Sequence, residues 1–203
     1  MPQEHYFSSK PADRAALRTV QVRLAGRDVE VQTAGGVFSP DHVDLGTRVL
    51  LGEVPTAPAA GHLLDLGAGW GPIALTLGLQ SPDATVWAVD VNERALDLVR
   101  RNVRRLGLDN VNAAIPADVP DDLRFSVIWS NPPIRIGKAE LHALLRRWLP
   151  RLEAGATAWL VVQKNLGSDS LQRWLDEEFG DGWTVERAAT SKGFRVLTVT
   201  RDA

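Results

Sequence analysis

The sequence predicts an α/β protein built on a mostly parallel sheet, and three observations carry that prediction. From residue 62 onward, short apolar runs alternate with stretches of helical length, the pattern of repeated βαβ units. A glycine-rich turn joins the first strand of that series to its helix. The last two strands have Thr190-Ser191-Lys192-Gly193 between them, too little for a parallel crossover, so they pair antiparallel at one edge.

The elements follow in order. Thr19 to Leu24 and Val29 to Thr33 alternate polar with apolar residues around Ala25-Gly26-Arg27-Asp28, which predicts a β-hairpin with one dry face. Gly35-Gly36 loosens the chain before Val37-Phe38-Ser39-Pro40. Apolar residues at 43, 45, 49 and 50 then give a faint helical pattern. Pro55 to Gly61 reads as a loop. Strands are predicted at Leu63–Leu66, Thr85–Val89, Val111–Ile115, Phe125–Trp129, Thr157–Val162, Trp183–Ala188 and Phe194–Thr200. Helices are predicted at about 72–79, 93–106, 139–152 and 170–179, and Gly107 closes the second of these. The expected organisation is one structural domain: an N-terminal arm and hairpin extension over 1–55, packed on a core over 56–203. The segment His5-Tyr6-Phe7-Ser8 is read as an arm over the active site.

Composition excludes several classes. The chain has 203 residues, 44% of them hydrophobic and 24% charged, which suits one globular unit with its own core. It has no cysteine, which removes disulfide scaffolds, thiolate metal sites and cysteine nucleophiles. His5, His42, His62 and His142 lack metal-ligand spacing. A net charge of −2 gives no global footprint for nucleic acid, though a local patch is allowed. No apolar run approaches the roughly 20 residues of a membrane span. Met-Pro-Gln-Glu-His has no signal-peptide pattern. The expectation is a cytoplasmic protein with no metal and no membrane.

Asp65-Leu66-Gly67-Ala68-Gly69-Trp70-Gly71-Pro72 lies between the first strand of the series and its helix. Glycines there let backbone approach a ligand without a Cβ clash. The dinucleotide fingerprint G-x-G-x-x-G would place its third glycine at 72. That position is Pro, suited to the first helical turn, so D-x-G-x-G-x-G is favoured as a nucleoside-cofactor loop. A tight turn with no ligand is the simpler alternative. Asp90 ends the next strand, where an acid can accept both ribose hydroxyls. Asn92 is the more natural cap of the following helix, which leaves Asp90 free for that task. Asp118 follows the third strand of the series; a plain turn aspartate fits it equally well on its own.

Ser130-Asn131-Pro132-Pro133-Ile134 follows the apolar strand Phe125–Trp129. Residues before proline are excluded from the α region, so Asn131 and Pro132 are held extended in a stiff elbow. It presents two acceptors, the Asn131 carboxamide oxygen and the Pro132 carbonyl. Two fixed acceptors suit an amino group whose lone pair is delocalised into a ring. They favour the cation that develops on nitrogen and aim the lone pair, with no strong base required.

Together Asp65-x-Gly67-x-Gly69-x-Gly71, Asp90, Asn131-Pro132-Pro133 and Gly36-Val37-Phe38-Ser39 resemble the methyltransferase small-domain family. Its best-known members are bacterial small-subunit ribosomal RNA guanine-N2 methyltransferases. Gln163-Lys164 and Lys192-Gly193-Phe194-Arg195 extend the resemblance over roughly residues 5 to 200. The resemblance implies a class I S-adenosylmethionine (SAM) methyltransferase fold, Rossmann-like. Its sheet is seven-stranded and mostly parallel, with an antiparallel C-terminal hairpin, here preceded by the N-terminal β-hairpin extension. It implies SAM as cofactor, held by Asp65, Gly67, Ala68, Gly69, Gly71, Asp90, Val91 and Asp118. Asn131 and Pro132 would be catalytic, and Phe38, Ser39, Pro133 and Ile134 would line the substrate. Two features depart from the pattern: these 203 residues hold no counterpart of the additional N-terminal methyltransferase-like domain expected from the bacterial enzymes, and Ile134 stands where many N-P-P enzymes have an aromatic that can stack on a flipped base.

The arginines of 93–106 and of 146–151 are read as solvated helix faces. Most tryptophans are read as core, with Trp70 as a wall of the cofactor pocket. The implied function is N-methylation of an exocyclic amine, guanine N2 of small-subunit ribosomal RNA. The expected partner is ribosomal RNA or, given the mildly acidic balance, the assembled small subunit. A protein-glutamine methyltransferase and a non-catalytic SAM-binding module are the alternatives.

Overall fold

A computed structural model describes residues 17–37, 39 and 41–203. The arm at 5–8 and Phe38 lie outside the described residues.

The alternating segment folds into strands β1 (Leu17–Leu24) and β2 (Arg27–Ala34), a separate two-stranded sheet. The turn is tighter than expected: Ala25 and Gly26 alone make it, both with positive φ, the two-residue geometry that matches strand twist. The faint pattern that follows is helix α1 (Leu45–Glu53). Then come β3 (His62–Leu66), α2 (Pro72–Gln80), β4 (Thr85–Val89), α3 (Glu93–Leu106), β5 (Val111–Ala114) and β6 (Phe125–Ser130). They are followed by α4 (Lys138–Trp148), β7 (Leu152–Gln163), α5 (Ser168–Phe179), β8 (Trp183–Ser191) and β9 (Phe194–Arg201). Helix α4 stops earlier than the pattern of apolar residues suggests. Pro150 lacks an N–H and crowds the preceding turn, so 149–151 tightens into a 3-10 turn and β7 begins at Leu152.

The main sheet runs in the order β5-β4-β3-β6-β7-β9-β8. Strands β3 to β7 pair in parallel, while β9 runs against both β7 and β8. This is a Rossmann-like, mostly parallel seven-stranded sheet with an antiparallel final pair, as the sequence predicts. Both faces are covered, so neighbouring strand residues feed opposite cores. Leu64, Ile128 and Leu160 pack with Leu145 and Trp148 of α4 and Leu175 of α5. Leu63, Trp129 and Val161 pack with Leu50 of α1 and Ile73 of α2.

The hairpin is anchored rather than appended. Leu24, Val31 and Ala34 pack on Trp70, Leu75, Ala95 and Leu98. The buried Asn102 of α3 stitches it by accepting from the Gln32 N–H at 2.6 Å and donating to the Gln32 carbonyl at 3.0 Å.

What positions the site is the reversal of strand order between β3 and β6. Helices on the two sides of that point diverge and leave a crevice beyond the carboxyl strand ends. Leu66 is in register with Ser130, and the Ser130 hydroxyl donates to the Leu66 carbonyl at 2.6 Å. The glycine turn after β3 and the Asn-Pro-Pro elbow after β6 therefore emerge side by side.

Candidate active site

The glycine turn is shaped by its backbone. Gly67, Gly69 and Gly71 all have positive φ. The Gly67 and Ala68 N–H groups donate to the Val89 carbonyl at 2.8 and 3.0 Å, which pins the turn against the end of β4. A Cβ on Gly69 would point into open space, and one on Gly67 would lie 3.7 Å from Pro133 Cδ and 3.9 Å from the Asn131 carbonyl oxygen. Turn and elbow are thus one van der Waals layer apart.

Asp65 is wholly buried. Its Oδ2 accepts from the Ala74 N–H at 2.8 Å, satisfying a free donor in the first turn of α2. Its Oδ1 is buried with no partner. Burial pushes the carboxyl up to about 8, the Ala74 bond opposing and the nearby Asp90 adding to the rise. Asp90 ends β4; one oxygen accepts from the Gly69 N–H at 2.9 Å and the other from the Asn92 N–H at 2.8 Å. Burial raises its carboxyl as well, against those backbone bonds. Asn92 caps α3 through the Arg94 N–H, as the sequence suggests. Val91, beside Asp90, is 57% exposed, and Asp118 stands exposed in the turn after β5.

The elbow has a feature that sequence alone does not reveal. Pro133 has φ −74° and ψ 77°, and the Ile134 N–H donates to the Pro132 carbonyl at 2.8 Å, an inverse γ-turn. The Pro132 carbonyl is therefore fixed by that one bond, and no second donor reaches it among the described residues. Ile134 is partly buried against the large core cluster instead of standing free. Asn131 Nδ2 donates to Asp44 Oδ2 at 3.0 Å and to Thr47 Oγ1 at 3.1 Å. Both hydrogens of the amide nitrogen are thereby used, and among the described residues nothing donates to Asn131 Oδ1. Asp44 and Thr47 went unnoticed in the sequence; the only local signal was an acid placed to cap a helix.

Trp70 does not wall a pocket. It is 1% exposed, packs under the hairpin, and its Nε1 donates to the Ser39 carbonyl at 3.1 Å. Its effect is to hold Ser39, itself at φ 48°, against the glycine turn. The arginines of α3 are largely engaged within the chain: Arg101 with Asp97, Arg100 with Glu93, and Arg105 with Glu30 of the hairpin. Arg135, Lys138, Lys164 and Lys192 differ. They are exposed, form no ion pair among the described residues, and follow β6, end β7 or turn into β9 at the same end of the sheet as Asn131. No group of three or more metal-ligating side chains occurs among the described residues.

A parallel sheet with its glycine turn and carboxamide elbow at the switch point defines a class I methyltransferase. The match to known proteins agrees: residues 28–198 fit the model of the methyltransferase small domain. The chain belongs to the methyltransferase small-domain family. It is 34% identical over 197 residues to the uncharacterized protein YbxB of Bacillus subtilis (strain 168), covering 96% of both chains. It is 32% identical over 180 residues to ribosomal RNA small subunit methyltransferase C of Photorhabdus laumondii subsp. laumondii, covering 86% of this chain and 51% of that one. Among solved structures, the Thermus thermophilus 16S rRNA N2 G1207 methyltransferase, in complex with AdoMet and guanosine, superposes with a TM-score of 0.80 at 23% identity. That match covers 95% of this chain and 52% of the other. The chain spans about half the length of these ribosomal RNA methyltransferases and nearly all of YbxB.

Proposed function

We propose that the chain transfers a methyl group from SAM to an exocyclic amine, guanine N2 in small-subunit ribosomal RNA. One observation carries the reading: the Asn131 carboxamide, on the elbow beside the glycine turn, has its nitrogen fully engaged and, among the described residues, no donor on its oxygen. A non-catalytic binding module has no use for that arrangement.

The residues present fit the cofactor. The open space over Gly69 is a cradle that a side chain would fill, and the orphaned Asp65 Oδ1 is a buried polar atom that a cationic ligand would satisfy. Gly67, Ala68, Gly69 and Gly71 would lie along SAM. Asp90 would take its ribose with the lone pairs left after its backbone bonds, and the exposed Val91 and Asp118 would flank its adenine. When bound, SAM supplies an electrophilic methyl group on a sulfonium.

Asn131 Oδ1 and the second lone pair of the Pro132 carbonyl would each accept one N–H of the amine. This holds the nitrogen in line and favours the positive charge that grows on it. The amine nitrogen would form its bond to the methyl carbon while the sulfonium would leave with the bonding pair. The resulting anilinium-like nitrogen is acidic enough to lose its proton to water. Ser39, Pro133, Ile134 and Phe38 would border the base. The four unpaired cations at the catalytic end supply the local patch that a nucleic acid requires, on a chain whose net charge is −2. The similarity to ribosomal RNA small subunit methyltransferases supports the same substrate.

The test is incubation with methyl-labelled SAM and, separately, naked ribosomal RNA, small subunits and a protein extract, with Asn131→Ala in parallel. Label in small-subunit RNA that the variant abolishes is the expected result. Label confined to protein would move the assignment to an amide side chain, and no label anywhere, with SAM bound, would point to a binding module.

A further inference from the structure

A carboxamide can turn over without changing its outline, and the half-turn replaces an acceptor with a donor. An Asn131 free to turn would present the wrong atom to an amine for much of the time. We infer that Asp44 and Thr47 are positioning residues that lock the Asn131 carboxamide with its oxygen toward the substrate. The inference rests on the proposed amine methylation and adds two residues to it, 87 and 84 positions away in the chain.

The orientation follows from the chemistry of the partners. Asp44 Oδ2 already accepts the Gly46 N–H at 2.8 Å and the Thr47 N–H at 3.3 Å as the cap of α1. An oxygen that accepts two backbone bonds accepts the third as well, so the Asn131 atom facing it is nitrogen. Thr47, buried at 3% exposure, takes the other hydrogen with its hydroxyl. Gly46 makes the approach possible. A Cβ there would lie 2.9 Å from Asp44 Oδ2, 2.9 Å from Phe194 Cε1 and 3.3 Å from Asn131 Nδ2. Asp44-Leu45-Gly46-Thr47 is therefore more than a helix cap. Capping accounts for the acid and for neither the hydroxyl nor the missing side chain. The ring of Phe194, from the first position of β9, lies against Gly46.

Two pairs of variants separate positioning from capping. Serine and asparagine cap helices about as well as aspartate. Asp44→Asn keeps an oxygen where Asn131 needs it, whereas Asp44→Ser is too short to reach. Thr47→Ser keeps the hydroxyl, and Thr47→Val removes it at constant shape. Asp44→Ser and Thr47→Val are expected to lower kcat by about ten- to hundredfold, with the SAM dissociation constant and melting temperature unchanged. Asp44→Asn and Thr47→Ser stay within a few fold of the parent. Equal kcat for Asp44→Ser and Asp44→Asn, or losses that follow the melting temperature, would overturn the inference. A second readout needs no turnover: the Asn131 side-chain amide protons, assigned by their loss in Asn131→Ala, should exchange slowly with solvent and faster in Asp44→Ser. If the parent methylates no amine while that protection depends on Asp44, the functional reading fails and the lock stands. Free exchange of these protons in the parent overturns the lock whatever the activity.

Discussion

Replacing Asp65 with asparagine tests the buried carboxyl directly. Raising a carboxyl from 3.8 to about 8 corresponds to a cost of roughly 6 kcal/mol for ionising it in the fold, at 1.36 kcal/mol per pKa unit. Between about pH 4 and pH 8 the folded chain then holds one proton that the unfolded chain has released. Stability from this group is complete at low pH and falls as pH rises toward 8, by about 1.4 kcal/mol per pH unit. Asp65→Asn is neutral at every pH and still offers an oxygen to the Ala74 N–H. Relative to the parent it should gain stability steadily from pH 5 to pH 8 and show little gain near pH 4. Urea unfolding of both proteins at pH 5, 6, 7 and 8, without cofactor, reads the difference and cancels all other titrations. Parallel stability curves would refute the reasoning. A parent that gains on the variant as pH rises would show an Asp65 stabilised in its ionised form.

Three further outcomes follow from the site. SAM at a hundredfold excess over its dissociation constant should stabilise the fold by about 2.7 kcal/mol, whereas NAD gives no shift in the same melts; binding near pH 7 should release a proton if Asp65 meets the cationic end of the ligand, measured by calorimetry in two buffers. Gly46→Ala should cost about 1–3 kcal/mol in denaturant unfolding despite alanine's better helix propensity, because its Cβ meets the Phe194 ring and Asp44; a stabilised variant would show that the contact relaxes freely. Lys164→Glu with Lys192→Glu should weaken binding to ribosomal RNA and flatten its salt dependence by about two phosphate contacts, leaving SAM affinity unchanged; an unaltered salt slope would remove these lysines from the RNA surface.

The parts of the site that were legible in the sequence are those whose chemistry is local. Glycines at 67, 69 and 71 mark a backbone conformation, and Asn131-Pro132-Pro133 marks a stiff elbow, because the constraint lies in the residues themselves. The alternation of strands and helices likewise carried the sheet and its antiparallel edge. Asp44 and Thr47 were not legible, since their meaning depends on a contact with Asn131 that exists only once α1 lies across β7. Trp70 misled for a related reason: a large ring in a glycine turn suggests a pocket wall, but the hairpin's apolar face was there to bury it. Helix α4 ran too long on the sequence reading because apolar spacing continues through Leu149 and Leu152, and Pro150 outweighed it.

The placement of β9 has a consequence for how the molecule comes into being. This strand, the last in the described chain, sits inside the sheet between β7 and β8. A ribosome releases it after all its neighbours, so β8 has nothing to join and β7 keeps a bare edge until then. That edge is apolar, with Leu160, Val161 and Val162 all fully covered in the finished protein, and it is the kind of template on which chains aggregate. Premature termination after Ser191 would therefore yield a sticky fragment with its glycine turn intact and no Phe194 ring beside Gly46.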